Sequence, residues 1–222
     1  MKPWELLARA PAPGGTELTL RRRDREYVIQ ADGQSLMSSR VHHSEDALAL
    51  LGCAHSATLP RPQVLIGGLG MGFTLRAALD ALPPAAIIVV AELVPAVIEW
   101  NRGPLGELAR HPLRDARVQI ESADVRVALT ASPNRFDAIL LDIDNGPDAL
   151  TTASNARLYS KAGIAAARAA LRPGGVLAIW SAREDVSFEQ RLRASGLGVQ
   201  RELVRGRAAK RGSTHAIILA SK

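Results

Sequence analysis

Four glycines, Gly67, Gly68, Gly70 and Gly72, separate an apolar run, Val64–Leu65–Ile66, from a helix-like run, Leu75 to Leu82. Glycine is required where the backbone takes positive φ or where a ligand must come close to it. A strand, a glycine turn and a helix in that order cradle a nucleotide or nucleoside, because the helix N-terminus and bare backbone amides face the ligand. Twenty residues past Gly72, a second apolar run, Ile87 to Ala91, ends in Glu92. A carboxylate there can accept both hydroxyl hydrogens of a ribose, and the two halves together read as one βαβ unit.

Further acids follow at the ends of later apolar runs. Asp124 either accepts the amino hydrogens of an adenine or simply caps a short helix. Asp142 closes the run Phe136 to Leu141, where a carboxylate can deprotonate an incoming nucleophile or hold a cationic ligand. Asp144 and Asn145 lie in Asp144–Asn145–Gly146–Pro147–Asp148, which is equally well explained as turn chemistry. His42 and His43 precede a helical stretch and offer a donor or base. Tyr159, Trp100 and Trp180 read as core or cleft wall.

These residues need elements to hold them. Residues 1–16 read as an arm or linker, and 17–38 as a small antiparallel unit with a hairpin at Asp32–Gly33. A helix is expected over 44–57, capped by Ser44, with Glu45 and Asp46 complementing its first turn. Strands at 87–92, 117–120, 136–142 and 176–180 alternate with helices at 94–102, 155–171 and 184–194. A closing antiparallel pair spans 199–204 and 215–219. The alternation predicts an α/β fold with a doubly wound, mainly parallel sheet, whose ligands bind at the carboxyl ends of its strands. Gly67 to Gly72, Glu92, Asp124 and Asp142 all fall there. The expected division is an N-terminal arm and β unit, 1–43, followed by a nucleoside-binding Rossmann-like domain, 44–222.

The chain of 222 residues carries 28 basic and 22 acidic side chains and is 47% hydrophobic. That suits a globular domain with its own core. Aromatic content of 4% is low for base stacking, so a nucleic-acid partner is not expected despite the basic segment Arg205 to Arg211. The single cysteine, Cys53, and the absence of zinc-site spacing fit a reducing cytoplasm and no metal. No apolar run reaches membrane-span length.

With these residues in view, the chain resembles the spermidine synthase family, aminopropyltransferases on the class I S-adenosylmethionine-dependent methyltransferase fold. The resemblance runs from about Leu18 to Ala182. It rests on the N-terminal β unit, Val64 to Gly72, Glu92, Ala123–Asp124, Phe136 to Asp142, Leu158–Tyr159–Ser160 and Leu171 to Leu177. It implies a seven-stranded sheet, a homodimer, and a nucleoside sulfonium as donor substrate: S-adenosylmethionine or its decarboxylated form. Glu92 would hold the ribose, Asp124 the adenine amine and Asp142 the reacting amine of a small acceptor, with His43, Asp144, Asn145 and Tyr159 on the acceptor side. Ile66 stands where ordinary methyltransferases carry an acid, which points to the aminopropyl branch. The chain departs from the family at Met71, where an acid is usual, at His43, where a tyrosine is usual, and at Asn145, where the second of two acids is usual.

Aminopropyl transfer is thus the expected function. The alternatives are methyl transfer, a non-catalytic nucleoside binder (suggested by Met71 and Asn145), a dinucleotide-dependent oxidoreductase, disfavoured by Phe73, and nucleic-acid modification through the basic loop.

Overall fold

The structure, a computed structural model, describes residues 2–143, 153–205 and 214–222. Two sheets organise it. The first is antiparallel, in the order β1 (Glu5–Pro11), β2 (Glu17–Arg23), β3 (Glu26–Ala31), β4 (Gln34–Ser38). The β3–β4 turn is Asp32–Gly33, with φ of 47° and 81°, the two-residue hairpin that an Asp-Gly pair favours. The expected arm before residue 17 is instead a strand. β1 pairs with β2 from Glu5↔Arg22 to Pro11↔Glu17, and its alanine- and proline-rich composition hides it from a propensity reading.

The second sheet has seven strands in the order β10-β11-β9-β8-β5-β6-β7. These are β5 (Gln63–Gly67), β6 (Ile87–Ala91), β7 (Val118–Glu121), β8 (Phe136–Leu141), β9 (Leu171–Ser181), β10 (Gly198–Arg205) and β11 (Thr214–Ser221). β5 to β9 are parallel, and β11 runs antiparallel to both its neighbours, β9 and β10. Every residue of β8 is buried, as a central strand covered on both faces must be.

The helices are α1 (His43–Gly52), α2 (Phe73–Ala81), α3 (Pro95–Arg102), α4 (Val125–Ala131), α5 (Ala153–Leu158), α6 (Lys161–Ala170) and α7 (Val186–Ala194). Side chains alternate between two cores. Val64, Ile66 and Leu140 pack with α1, α2, α3 and the inner face of the small sheet, while Leu65, Ile139 and Leu141 pack with α4, α6 and α7. The small sheet therefore shares a core with the glycine loop and its flanking helices.

Three expectations are corrected. α1 ends at Gly52, and its N-cap is His42 rather than Ser44. His42 is held by a hydrogen bond to Asp46 (3.0 Å) and by stacking on Phe73 at 4.1 Å. The single helix over 155–171 is two: Ser160 breaks it and caps α6 by accepting the Gly163 amide. β9 begins at Leu171, five residues early. It carries Arg172–Pro173–Gly174–Gly175 as an irregular stretch between the pairs Phe136↔Leu171 and Ala138↔Val176. Among the described residues no helix is long and apolar enough to cross a membrane.

Candidate functional site

The parallel strands end in a cleft of about 210 Å³. Gly68, Gly70, Glu92, Asp124 and Asp142 line it from the large sheet. Thr16, Leu18, Ile29 and Met37 of the small sheet roof it with mostly apolar surface. The cleft lies at the carboxyl ends of the strands, and the N-terminal unit forms part of its wall.

The glycine loop is shaped by what it must pass. Gly68 has φ 88°, and a Cβ there would collide with the Asp142 carbonyl. Gly72 has φ 83° at the N-cap of α2, with Asn101 Oδ1 close behind it. Either position excludes a larger residue on steric and conformational grounds. Asn101, which sequence reasoning passed over, donates through Nδ2 to the Gly70 carbonyl (2.8 Å) and to Val97 (2.9 Å), tying the loop to α3. Met71 is fully buried in the core and does not line the cleft.

Glu92 follows β6 and is 7% exposed. Its own amide extends the β6–β7 ladder by donating to the Glu121 carbonyl (3.0 Å). Its Oε2 accepts the Leu69 amide and its Oε1 the Val94 amide, both at 2.8 Å. Burial pushes the carboxyl above its ordinary range, against the amides of Leu69, Val94, Leu93 and Gly70, which pull it down. These amides fix the orientation of the carboxylate at the cleft wall.

Asp124 caps α4, as the sequence suggested, with Oδ1 accepting the Arg126 amide at 2.9 Å. Arg126 also folds back on it. Its Nε lies 3.1 Å from each oxygen and its Nη2 2.7 Å from Oδ2. Burial raises the Asp124 pKa, but the Arg126 side chain and amide outweigh it and hold the carboxyl below its usual range.

Asp142 follows β8, its amide bonded to the Gly67 carbonyl at 3.0 Å. Thr74 in the first turn of α2 donates to Asp142 Oδ2 at 2.6 Å. Burial pushes the Asp142 carboxyl up to about 6 against that hydrogen bond. A second carboxylate, Glu45, joins it from α1, which packs on α2, β8 and β9. Glu45 is 8% exposed and accepts the Ser44 hydroxyl at 2.6 Å. Burial first, and the Asp142 charge second, push it up to about 7. Among the described residues no basic side chain pairs with either carboxylate.

Glu45 was read only as a first-turn acid. Its spacing held a further signal: Glu45, Leu48, Ala49 and Gly52 stand at i, i+3, i+4 and i+7, which puts the acid on the buried face of α1.

The remaining candidates fall elsewhere. His43 is exposed at the start of α1 and is not a lining residue of the cleft. Tyr159 is 3% exposed and sits in the core, its ring edge-on to Phe188 at 5.6 Å. Asp144 and Asn145 lie outside the described residues, as does most of the basic loop.

The sequence profile described as "Spermine/spermidine synthase domain" matches residues 45–195. The chain is 34% identical over 122 residues to a polyamine aminopropyltransferase of Nitrosomonas europaea, covering 54% of this chain and 35% of that protein. It is 36% identical over 119 residues to one of Mycobacterium tuberculosis, covering 52% and 22%. The aligned region therefore spans about a third or less of those curated relatives' length. Among solved structures, a spermidine synthase of Thermotoga maritima matches with a TM-score of 0.75 and 20% identity. That match covers 98% of this chain and 72% of the other. A spermidine synthase in complex with the transition-state analogue AdoDATO matches with a TM-score of 0.74, the same identity and the same coverage. At that identity the structural matches show the fold: a class I methyltransferase-like sheet with a separate small N-terminal sheet.

Proposed function

The chain belongs to the spermine/spermidine synthase family, and from that premise we propose that it transfers an aminopropyl group from decarboxylated S-adenosylmethionine to a small amine acceptor. One observation carries this reading. Asp142, half-buried on the cleft wall with Gly68, Gly70 and Glu92, and the buried Glu45, which its charge raises, have no basic partner among the described residues. A nucleoside cradle thus sits next to a place for a cation.

The donor is already activated by its sulfonium charge. Glu92, oriented by its backbone amides, takes the ribose hydroxyls, and the apolar roof covers the thioether side. Asp142 receives the acceptor ammonium, and the carboxylate pair takes one N–H proton to leave a neutral amine. The nitrogen lone pair then forms the N–C bond as the C–S bond breaks, and that bond's electron pair goes to sulfur, which departs as a neutral thioether. The remaining work is holding nitrogen and carbon in line, an orientation effect. Neither His43 nor Tyr159 is assigned a step. The same reading includes a homodimer, which sedimentation would test.

The experiment is an initial-rate assay with decarboxylated S-adenosylmethionine and a short diamine, following methylthioadenosine release and the aminopropylated amine by mass spectrometry. Both products are expected, and Asp142→Asn should abolish them. Methyl transfer from S-adenosylmethionine under the same conditions, with no aminopropyl product, would overturn the reading.

A further inference from the structure

Asp124 and Arg126 flank the cleft at the start of α4, both partly exposed, with side chains 25% and 33% accessible. A carboxylate offers about four lone-pair positions. Here the Arg126 amide donates to Oδ1, the single Nε hydrogen is shared between the two oxygens, and Nη2 donates to Oδ2. Both oxygens of the acid that the nucleoside reading would use to accept a base's exocyclic amine are therefore already engaged. What engages them from the side is a neighbour's guanidinium on the same cleft wall. The Glu92 carboxylate differs: its partners are backbone amides, with no described side chain competing for it.

We propose that Arg126 is a specificity-determining residue that competes with the nucleobase's exocyclic amine for Asp124. The inference rests on the nucleoside-binding reading given above. For an amino base to bind, the guanidinium must leave Asp124, while the Arg126 backbone amide stays and keeps the carboxylate capped and oriented. The displaced guanidinium remains in the cleft as a hydrogen-bond donor. With arginine present the wall offers either an acceptor, Asp124, or a donor, Arg126, so it tolerates a base with a carbonyl at that position. With arginine absent it offers the acceptor alone, and a carbonyl there faces carboxylate lone pairs. Partly exposed ion pairs are weak and screened by salt, so the competition is modest and sensitive to ionic strength.

The test is calorimetric titration of the full chain with two uncharged probes, methylthioadenosine and its 6-oxo counterpart, methylthioinosine. Wild type, Arg126→Ala and Asp124→Asn are compared at low and high salt. Arg126→Ala is expected to bind the amino probe about two- to fivefold tighter than wild type at low salt. Its preference for the amino over the oxo probe should rise by at least as much. Added salt should bring wild type toward the variant while leaving the variant unchanged, a response that a structural role for Arg126 would not give. Asp124→Asn should bring the two probes together. If Arg126→Ala binds the amino probe no better, or worse, with its base preference unchanged, the competition is refuted and the nucleoside reading survives. If no protein binds either probe, both fall together.

Discussion

The two ends of the cleft each carry a carboxylate at a strand terminus, Glu92 buried and Asp142 half-buried, yet their surroundings are opposite in kind. Glu92 is fixed by backbone amides, which have no rotamers to lose and no proton to exchange. Asp142 is held by one hydroxyl and lies within reach of another carboxylate's charge. In both, burial disfavours the ionised form. At Glu92 amide dipoles oppose this in part and produce a rigid acceptor suited to neutral hydroxyls. At Asp142 only the Thr74 hydrogen bond opposes it, and the Asp142 charge in turn raises Glu45, so the two together gain from taking up a cation or a proton. On the proposed reading one end positions and the other reacts. The difference lies in what surrounds each acid, since both are short carboxylates at equivalent places in the sheet.

The comparison breaks first at its reactive end. Asp142→Asn should lower kcat by about 10²- to 10⁴-fold, the usual worth of a positioned base, while changing the Kd for methylthioadenosine by less than about threefold. Steady-state rates and calorimetry on one preparation check this. An equal loss of nucleoside binding would make the two ends one.

At the positioning end, Glu92→Gln should weaken methylthioadenosine binding by about 10- to 100-fold and lower folding stability by about 1–3 kcal/mol. An amide in place of the carboxylate must turn an NH2 toward the amide of Leu69 or Val94, leaving a buried donor unsatisfied. Denaturant titration and calorimetry read the two effects, and kcat at saturation should fall far less than in Asp142→Asn.

The pH response separates the ends further. Asp142 and Glu45 have folded pKa values of about 6 and about 7, above the ordinary carboxylate range. The pair titrates as a unit. Because the folded state binds more protons than the unfolded one between about pH 4 and pH 7, their contribution to stability is fully present below that window and is lost as pH rises through it. Asp115, Asp124 and Asp185 are shifted downward, so they act on the acid side of the window. The rate should rise through about pH 6 as Asp142 ionises. Thermal unfolding of Glu45→Gln should fall less steeply between pH 5 and 8 than that of wild type. Parallel curves would remove Glu45 from the pair.

The smallest effect is expected for Thr74→Val, which deletes the Thr74 hydrogen bond to the Asp142 carboxylate. It should cost about 1 kcal/mol and move the acid limb of the rate profile upward, since the bond favours the charged form.

How much of this the sequence disclosed follows from how local each signal is. The glycine turn, Glu92 and the Asp124 cap are settled within a βαβ unit or a single helix turn, and spacing exposes them. Glu45 meets Asp142 across 97 positions of sequence and only because α1 lies over the end of β8, so residue type and local pattern suggest its burial but not its partner. Arg126 looked like an ordinary helical arginine, since its back-bonding to Asp124 depends on rotamers. β1 was hidden by composition: alanines and a proline fill a strand whose pairing is supplied by β2. The break at Tyr159–Ser160 had its cap in plain view at Ser160, three residues before Gly163, but continuous helical spacing on either side masked it.

The position of β11 carries a consequence for assembly. β10 pairs with β11 and with no other strand of the sheet, and β11 alone connects it to β9. During synthesis β10 is therefore complete before anything exists for it to pair with. Its row of amides and carbonyls has no seat until a later segment enters between it and the sheet. Contacts of that kind form late and leave an unpaired strand open to the wrong neighbour meanwhile. Arg201 and Glu202 show a defence: charged residues along the strand, with Arg201 gathered by Glu184 and Glu189 of the preceding segment. That anchoring comes before β11 in the chain, so α7 can hold β10 in waiting while the strand that will join it to the sheet is still being made.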